Sequence, residues 1–450
     1  MKAKTLLVGT VVLVGVYLGA AFGSSFYIEK RYHEEVVETN IWLQENMPDV
    51  RVTELSYHRG LFDSQAQFAV EWDVRRSYLR QDEFYETPFE LPQKPIRIIV
   101  DNDIRTGPWL GSKGLGLARI DTVANFDPAH VSPQIVQSLQ GQNLITAQIK
   151  ITYWKDFSTD VYGAAFDLDN GDTQFQYNGV AAQFQTRRFG TKADLSVNFP
   201  YLLLTQPSTQ SQLLIHQLTY QARDSEVGDI VTWWNGNHNL ALERFLIDGG
   251  KPEQQFDINK VLLVSEERRD GDFASYKMEI KFDAKVMGNS MQVNLYSRLD
   301  NINVPVMEEF SKQYEAAGNS PRAQQEAMRI MESRAADIFK ASPAFIIDPF
   351  TITYNGQTAE SHVDIRVASI TADDLKRTPF MALLMTRLSV QMDFRAPASM
   401  LTREILGPKL YAQLQERIQQ GALVNRGGMV TWDFSYQGGT AMMNGRSLGR

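Results

Sequence analysis

The chain has no cysteine in 450 residues, which removes disulfides, thiolate nucleophiles and cysteine-based metal sites at one stroke. That absence is compatible with an oxidising compartment without requiring one. Histidine is scarce too: His33, His58, His130, His216, His238 and His362 never fall at metal-ligand spacing. His33-Glu34 lacks the second histidine four residues on that a zinc-protease helix needs. A basic footprint is missing, since the formal net charge is -8, and this argues against a nucleic-acid partner. No G-x-S-x-G elbow and no Walker loop occurs. The run 111–116, GSKGLG, matches neither phosphate-binding loop and precedes a strand pattern, so it reads as a turn. Nothing in the residues warrants a catalytic, cofactor or metal assignment.

What is present is first a membrane signal. Residues 6–28 form an uncharged, mostly apolar stretch preceded by Lys2 and Lys4. As a helix it would measure roughly 35 Å at 1.5 Å per residue, enough for a hydrocarbon core of about 30 Å. Gly19, Ala20 and Ala21 offer a cleavage site, but the run continues through Phe22, Phe26, Tyr27 and Ile28, longer than a signal peptide needs. An uncleaved single-pass anchor is therefore expected, with the N-terminus in the cytoplasm and the body outside. Gly15, Gly19 and Gly23 recur every four residues, which would let two such helices approach closely as a homodimer.

With 43% hydrophobic and 22% charged residues, the remainder has the composition of a folded body. Residues 29–50 read as a helical stalk or lid. From 51 onward the apolar period becomes two. In 276–286, Tyr276, Met278, Ile280, Phe282, Ala284 and Val286 alternate with Lys277, Glu279, Lys281, Asp283 and Lys285. Such alternation means a strand with one buried and one wet face. It returns at 145–153, 193–199, 291–299, 363–367 and 384–394, with turn dipeptides at Asp270-Gly271, Gly288-Asn289 and Asn355-Gly356.

Helices are expected at 128–139, 306–317, from 321 onward and at 401–420, the last broken by Gly407-Pro408. The expected fold class is therefore α+β and β-dominated: extended, twisted antiparallel sheet with packing helices, preceded by one N-terminal transmembrane helix. The expected divisions are 1–28 anchor, 29–50 stalk, 51–300 β-rich domain, and 301–450 helices plus closing strands. Asp167, Asp169 and Asp172 around Asn170-Gly171 could gather about calcium, but hairpin turns favour these same residues.

From Tyr57-His58-Arg59-Gly60-Leu61-Phe62-Asp63-Ser64 onward the chain resembles the YdgA-like family of uncharacterised Gram-negative envelope proteins. Phe310-Ser311-Lys312-Gln313-Tyr314, Ser342-Pro343-Ala344-Phe345-Ile346-Ile347, Tyr436-Gln437-Gly438-Gly439 and Asn444-Gly445 follow in the family's order. Gly107-Pro108-Trp109 is similar to a His-Gly-Pro-aromatic motif, with Thr106 in place of the histidine. The resemblance implies a single-pass inner-membrane protein with a periplasmic body, and it carries over no catalytic residue. Tyr57, His58, Arg59 and Gly60 themselves read as a glycine turn entering a strand. Two functions fit: non-enzymatic handling of a lipid or other apolar ligand on a long sheet, or a tethered module that binds another envelope protein.

Overall fold

A computed structural model describes residues 2–448 apart from 74, 77–93, 111–114, 155, 170, 188, 227–235, 252, 253, 287, 308, 310–324 and 326–328; side chains at 2–23 and 226 are also outside the description. The chain forms two compact units, Met1–Ile230 and Val231–Arg450.

In the first unit, α1 (Lys2–Asn46) is one continuous helix. The anchor expected at 6–28 falls mainly on residues whose side chains are outside the description, as do Gly15, Gly19 and Gly23. Among the described residues no helix is long and apolar enough to cross a membrane. The strands β1 (Val50–His58), β2 (Asp63–Trp72), β3 (Ile96–Thr106), β4 (Ala118–Phe126), β5 (Ile145–Ile151) and β6 (Phe157–Gly163) pair in sequence order as an antiparallel meander. A small hairpin, β7 (Phe166–Asp169) with β8 (Gln174–Tyr177), then departs from the ladder. Next, β9 (Val180–Arg187) returns to β6, and β10 (Lys192–Gln206) pairs with β9 along its first half and β8 along its second. Its other edge carries β11 (Ser211–Glu226).

The C-terminal half of α1 lies along this sheet. Ile28 packs with Ala66, Ile104 and Ala118, and Tyr32 and Tyr57 close over them. Residues 29–46 are thus a lid, with Leu43 buried near its end, and not a free stalk. The register of β1 slips by one residue at Leu55, between Glu54 and Ser56. In the β4–β5 connection the helix is α2 (Pro133–Ser138), shorter than the expected 128–139. Pro133 sets its start, because a proline lacking N–H is tolerated in the first turn but not deeper.

The second unit repeats the principle with longer strands. β12 (Asn237–Asp248), β13 (Gln255–Asp270), β14 (Phe273–Val286), β15 (Asn289–Asn303), β16 (Ala344–Tyr354), β17 (Gln357–Val367) and β18 (Leu388–Pro397) are antiparallel neighbours in order. The ladder ends with β19 (Val424–Arg426), β20 (Met429–Gln437), β21 (Thr440–Met443) and β22 (Arg446–Ser447), β18 pairing with β20. Several tight turns are two-residue loops with both residues left-handed: Asn355-Gly356, Gly427-Gly428, Gly438-Gly439 and Asn444-Gly445. This geometry matches the right-handed strand twist, which fixes each hairpin's register.

Among the described residues its helices include α3 (Ala335–Phe339), α4 (Ala372–Arg377), α5 (Phe380–Arg387) and α6 (Arg403–Gln419). Residues 384–387, expected to begin a strand, are instead the last turn of α5. Pro379 opens that helix, and Phe380 and Leu383 bury against Ala335, Phe339 and Ile370. Tertiary packing outweighs the local alternation there. Gly407, at φ 74°, breaks α6 where the sequence places the interruption. The compact units also divide the chain at 230/231 and not near 300. β15 bonds to β14 on one edge and β16 on the other, so the helical segment after 303 does not interrupt the ladder.

Candidate functional site

The Tyr57–Ser64 motif is the turn between β1 and β2, clamped under α1. Ser25 Oγ donates to the Gly60 carbonyl at 2.6 Å, and Gly60 N–H donates to Ser64 Oγ at 3.1 Å. Arg59 donates to Glu29 at 2.7 Å and lies 5.7 Å from the Phe26 ring centroid. Gly60 has no room for a side chain, because a Cβ would come within 2.0 Å of the Asp63 carbonyl oxygen. Tyr57 packs on Tyr32 and His33, with ring centroids 5.2 and 5.3 Å apart. Burial pushes the Tyr32 phenol up to about 12 and raises that of Tyr57. Thr106, in the histidine position of the family-like motif, is buried and donates to the Leu61 carbonyl at 3.2 Å. The motif thus builds a helix–turn junction. His58 lies on the exposed side of it.

An apolar groove of about 650 Å³ lies elsewhere in the same unit. Ile96 and Phe126, at the ends of β3 and β4, form one side. Phe166, Leu168 and Phe175 of the β7–β8 hairpin form the other, and the 129–135 segment leading into α2 lies over it. The aromatic floor extends beyond the groove: Phe166 meets Phe175 at 5.5 Å and Tyr177 at 5.4 Å, and Tyr177 meets Phe199 at 5.6 Å. Its volume falls in the range of about 300–1,000 Å³ common for small-molecule sites. Polar groups are few: Lys94, His130 and Ser132.

His130 Nδ1 is 3.2 Å from Asp127 Oδ2. The Ala129 backbone N–H, with His130 and Arg97, holds the Asp127 carboxyl below the usual carboxylate range. Among the described contacts no hydrogen bond joins Ser132 to His130, so the pair is not set as nucleophile and base.

The aspartates near residue 170 serve the β7–β8 turn. Asp169 accepts from the Gly171 N–H and Gln174, and Asp172 accepts from Gln206. Among the described residues no group of three or more histidines and carboxylates is arranged to hold a metal ion. The groove escaped sequence reasoning because its walls come from four segments spread over residues 94–175. The available signal was local: F-x-L at 166–168 and F-x-Y at 175–177 place apolar side chains on one face of both strands of a hairpin.

These features define a β-dominated antiparallel meander protein that pairs an apolar groove with a helix-clamped turn. The chain belongs to a family described as bacterial protein of unknown function (DUF945), whose model matches residues 1–449. It is similar to Protein YdgA of Escherichia coli (strain K12), with 22% identity over 339 residues, covering 72% of this chain and 65% of that relative's length. No solved structure matches.

Proposed function

We propose that this is a non-enzymatic binding protein of the cell envelope. It is tethered to the inner membrane by the apolar run that precedes Ser24, the rest of the expected 6–28 segment packing on the body, with that body in the periplasm, and takes a lipid or similar apolar ligand. The groove between β3–β4 and β7–β8 carries the reading. Phe126, Phe166, Leu168 and Phe175 are only half-buried there. Leaving so much apolar area unburied costs about 25 cal/mol per Å², which a bound apolar ligand would recover. The test is native mass spectrometry and organic extraction of the full chain purified from membranes. Lipid should accompany the wild type and fall at least tenfold in Phe166→Asp. A wild type that reproducibly carries none would overturn the reading.

A second reading, self-association through α1, is favoured by one pattern. Val37 and Ile41 are exposed on its outer side. They follow Gly19 and Gly23 by eighteen residues each (37 − 19 = 18; 41 − 23 = 18), which is five helical turns. Crosslinking of Gly19→Leu beside the wild type distinguishes a paired helix from a simple anchor.

A further inference from the structure

In an antiparallel ladder each pairing reverses the chain, so alternate turns gather at one end. In the first unit the β1–β2, β3–β4, β5–β6 and β9–β10 turns share that end. Contacts join them into a continuous rim. Thr106 N–H, at the close of β3, donates to Phe62 O at 2.7 Å, and Leu117 N–H donates to Ile151 O at 2.8 Å. Gly190 N–H donates to Asp156 Oδ1 at 2.8 Å.

Each of these turns presents a large apolar side chain to solvent. Leu61 is 40% exposed, and Trp109, Leu115, Trp154 and Phe189 are between 58% and 70% exposed. A single exposed apolar residue is ordinary, but one on each of these four turns is a patterned surface. The β10–β11 turn at the opposite end is Pro207-Ser208-Thr209-Gln210, without such a residue.

Helix α1 leaves the body at the apolar rim. Its C-terminal end lies at the start of β1, where Asn40 bonds Val52, and Ser25 is pinned to Gly60 at the far end of β1. The helix backbone continues to Lys2, about 33 Å further at 1.5 Å per residue (24 − 2 = 22 residues). That continuation carries the apolar run of residues 6–23.

We propose that the rim formed by Leu61, Trp109, Leu115, Trp154 and Phe189 rests in the interfacial layer of the bilayer, around the point where α1 enters it. This rests on the tethering reading above. Tryptophan and other aromatic rings favour that layer, where an apolar body and a polar edge are both satisfied. Three aromatic rings, Trp109, Trp154 and Phe189, with the apolar Leu61 and Leu115 beside an anchor would hold the sheet upright on the membrane, with the groove of Ile96, Phe126 and Phe166 at the end facing away from it.

The cysteine-free chain makes the test direct. Leu115→Cys, Phe189→Cys and Thr209→Cys are made singly in the full chain, nitroxide-labelled, and reconstituted in phosphatidylethanolamine–phosphatidylglycerol vesicles. Collision rates with oxygen and with a water-soluble nickel complex then report depth. Labels at 115 and 189 should favour oxygen, at headgroup to upper acyl depth, and the label at 209 should behave as in water. If all three behave as in water while the protein resists alkaline extraction, the rim proposal fails and the tether stands. Release by alkali would sink the tether, and the rim with it. Spin–spin broadening between copies at 115 or 189 would assign the rim to self-association and overturn the lipid contact.

Discussion

The Ser25 hydroxyl and the Gly60 carbonyl are joined across 2.6 Å, tying α1 to the turn that ends β1. Both halves of this contact are testable. Ser25→Ala removes one hydrogen bond from the partly buried Gly60 carbonyl, so a loss of about 1 kcal/mol is expected. Gly60→Ala meets the Asp63 carbonyl at 2.0 Å and should cost more, roughly 1–3 kcal/mol or above. Urea midpoints of the two variants should fall in that order, and the reverse order would show that the turn has slack.

Asn40 supplies a second anchor. Its amide donates to Val52 O at 2.8 Å and accepts from Val52 N–H at 2.9 Å, as a neighbouring strand would. Among the described pairings β1 has a strand partner on one edge, β2. Asn40→Ala should therefore bare a strand edge, with a loss of about 1–2 kcal/mol and concentration-dependent association in sedimentation velocity. A variant that loses stability but stays monomeric would make the contact a clamp and not an edge guard.

Arg244 and Asp257 form a two-pronged pair between β12 and β13, with Nε–Oδ1 and Nη2–Oδ2 both at 2.9 Å. Asp257 is buried, and this bond raises the Arg244 pKa further. Arg244→Gln should cost about 1.5–3 kcal/mol, softened by the Asn259 amide that also reaches Asp257. Chemical denaturation followed by tryptophan fluorescence would measure it.

His362 predicts a pH dependence. Nδ1 is 3.0 Å from Asp393, while Nε2 is 3.3 Å from Asp348 and 3.4 Å from Glu360. The bond to Asp393 is the main reason its pKa is raised. A raised value means the folded protein holds the proton more tightly than the unfolded chain. The stabilisation is complete below the ordinary value of about 6.5 and fades as pH rises through the raised one. Unfolding midpoints taken from pH 5.5 to 8.5 should fall over that window in the wild type and stay flatter in His362→Gln.

Much of the fold was legible because a half-buried antiparallel strand writes its two faces into alternate residues. Tyr276 to Val286 reads directly as part of β14, and Asn355-Gly356 forms its turn as written, while Asp270 and Asn289 of the other two expected dipeptides belong to the flanking strands. Where packing overrides the local pattern, reading fails. Leu384 alternates like a strand residue yet belongs to α5, because Phe380 and Leu383 have a cluster to fill. The motif at Tyr57–Gly60 was legible as a turn but not as a junction, since its partner α1 is 35 residues away at the Ser25–Gly60 bond. The groove and the rim escaped reading for a further reason. The groove takes its walls from four separate segments and the rim takes one or two residues from each of four turns, so no window of sequence contains more than a fragment. The helix signature at Phe310–Tyr314 lies outside the described residues.

The slip at Leu55 has a consequence for how this chain tolerates length changes. A strand's sidedness is a parity, and one extra residue inverts it. Glu54 faces His33 of α1, and plain alternation would next turn Ser56 that way. With Leu55 set aside, that side passes to Tyr57, which stacks on the same histidine. Deleting Leu55 would therefore straighten β1 and keep Tyr57 opposite Ala66 on the α1 side. At this one position the chain can lose a residue and leave the helix–turn junction in phase, whereas a deletion elsewhere in β1 would turn one of its faces over.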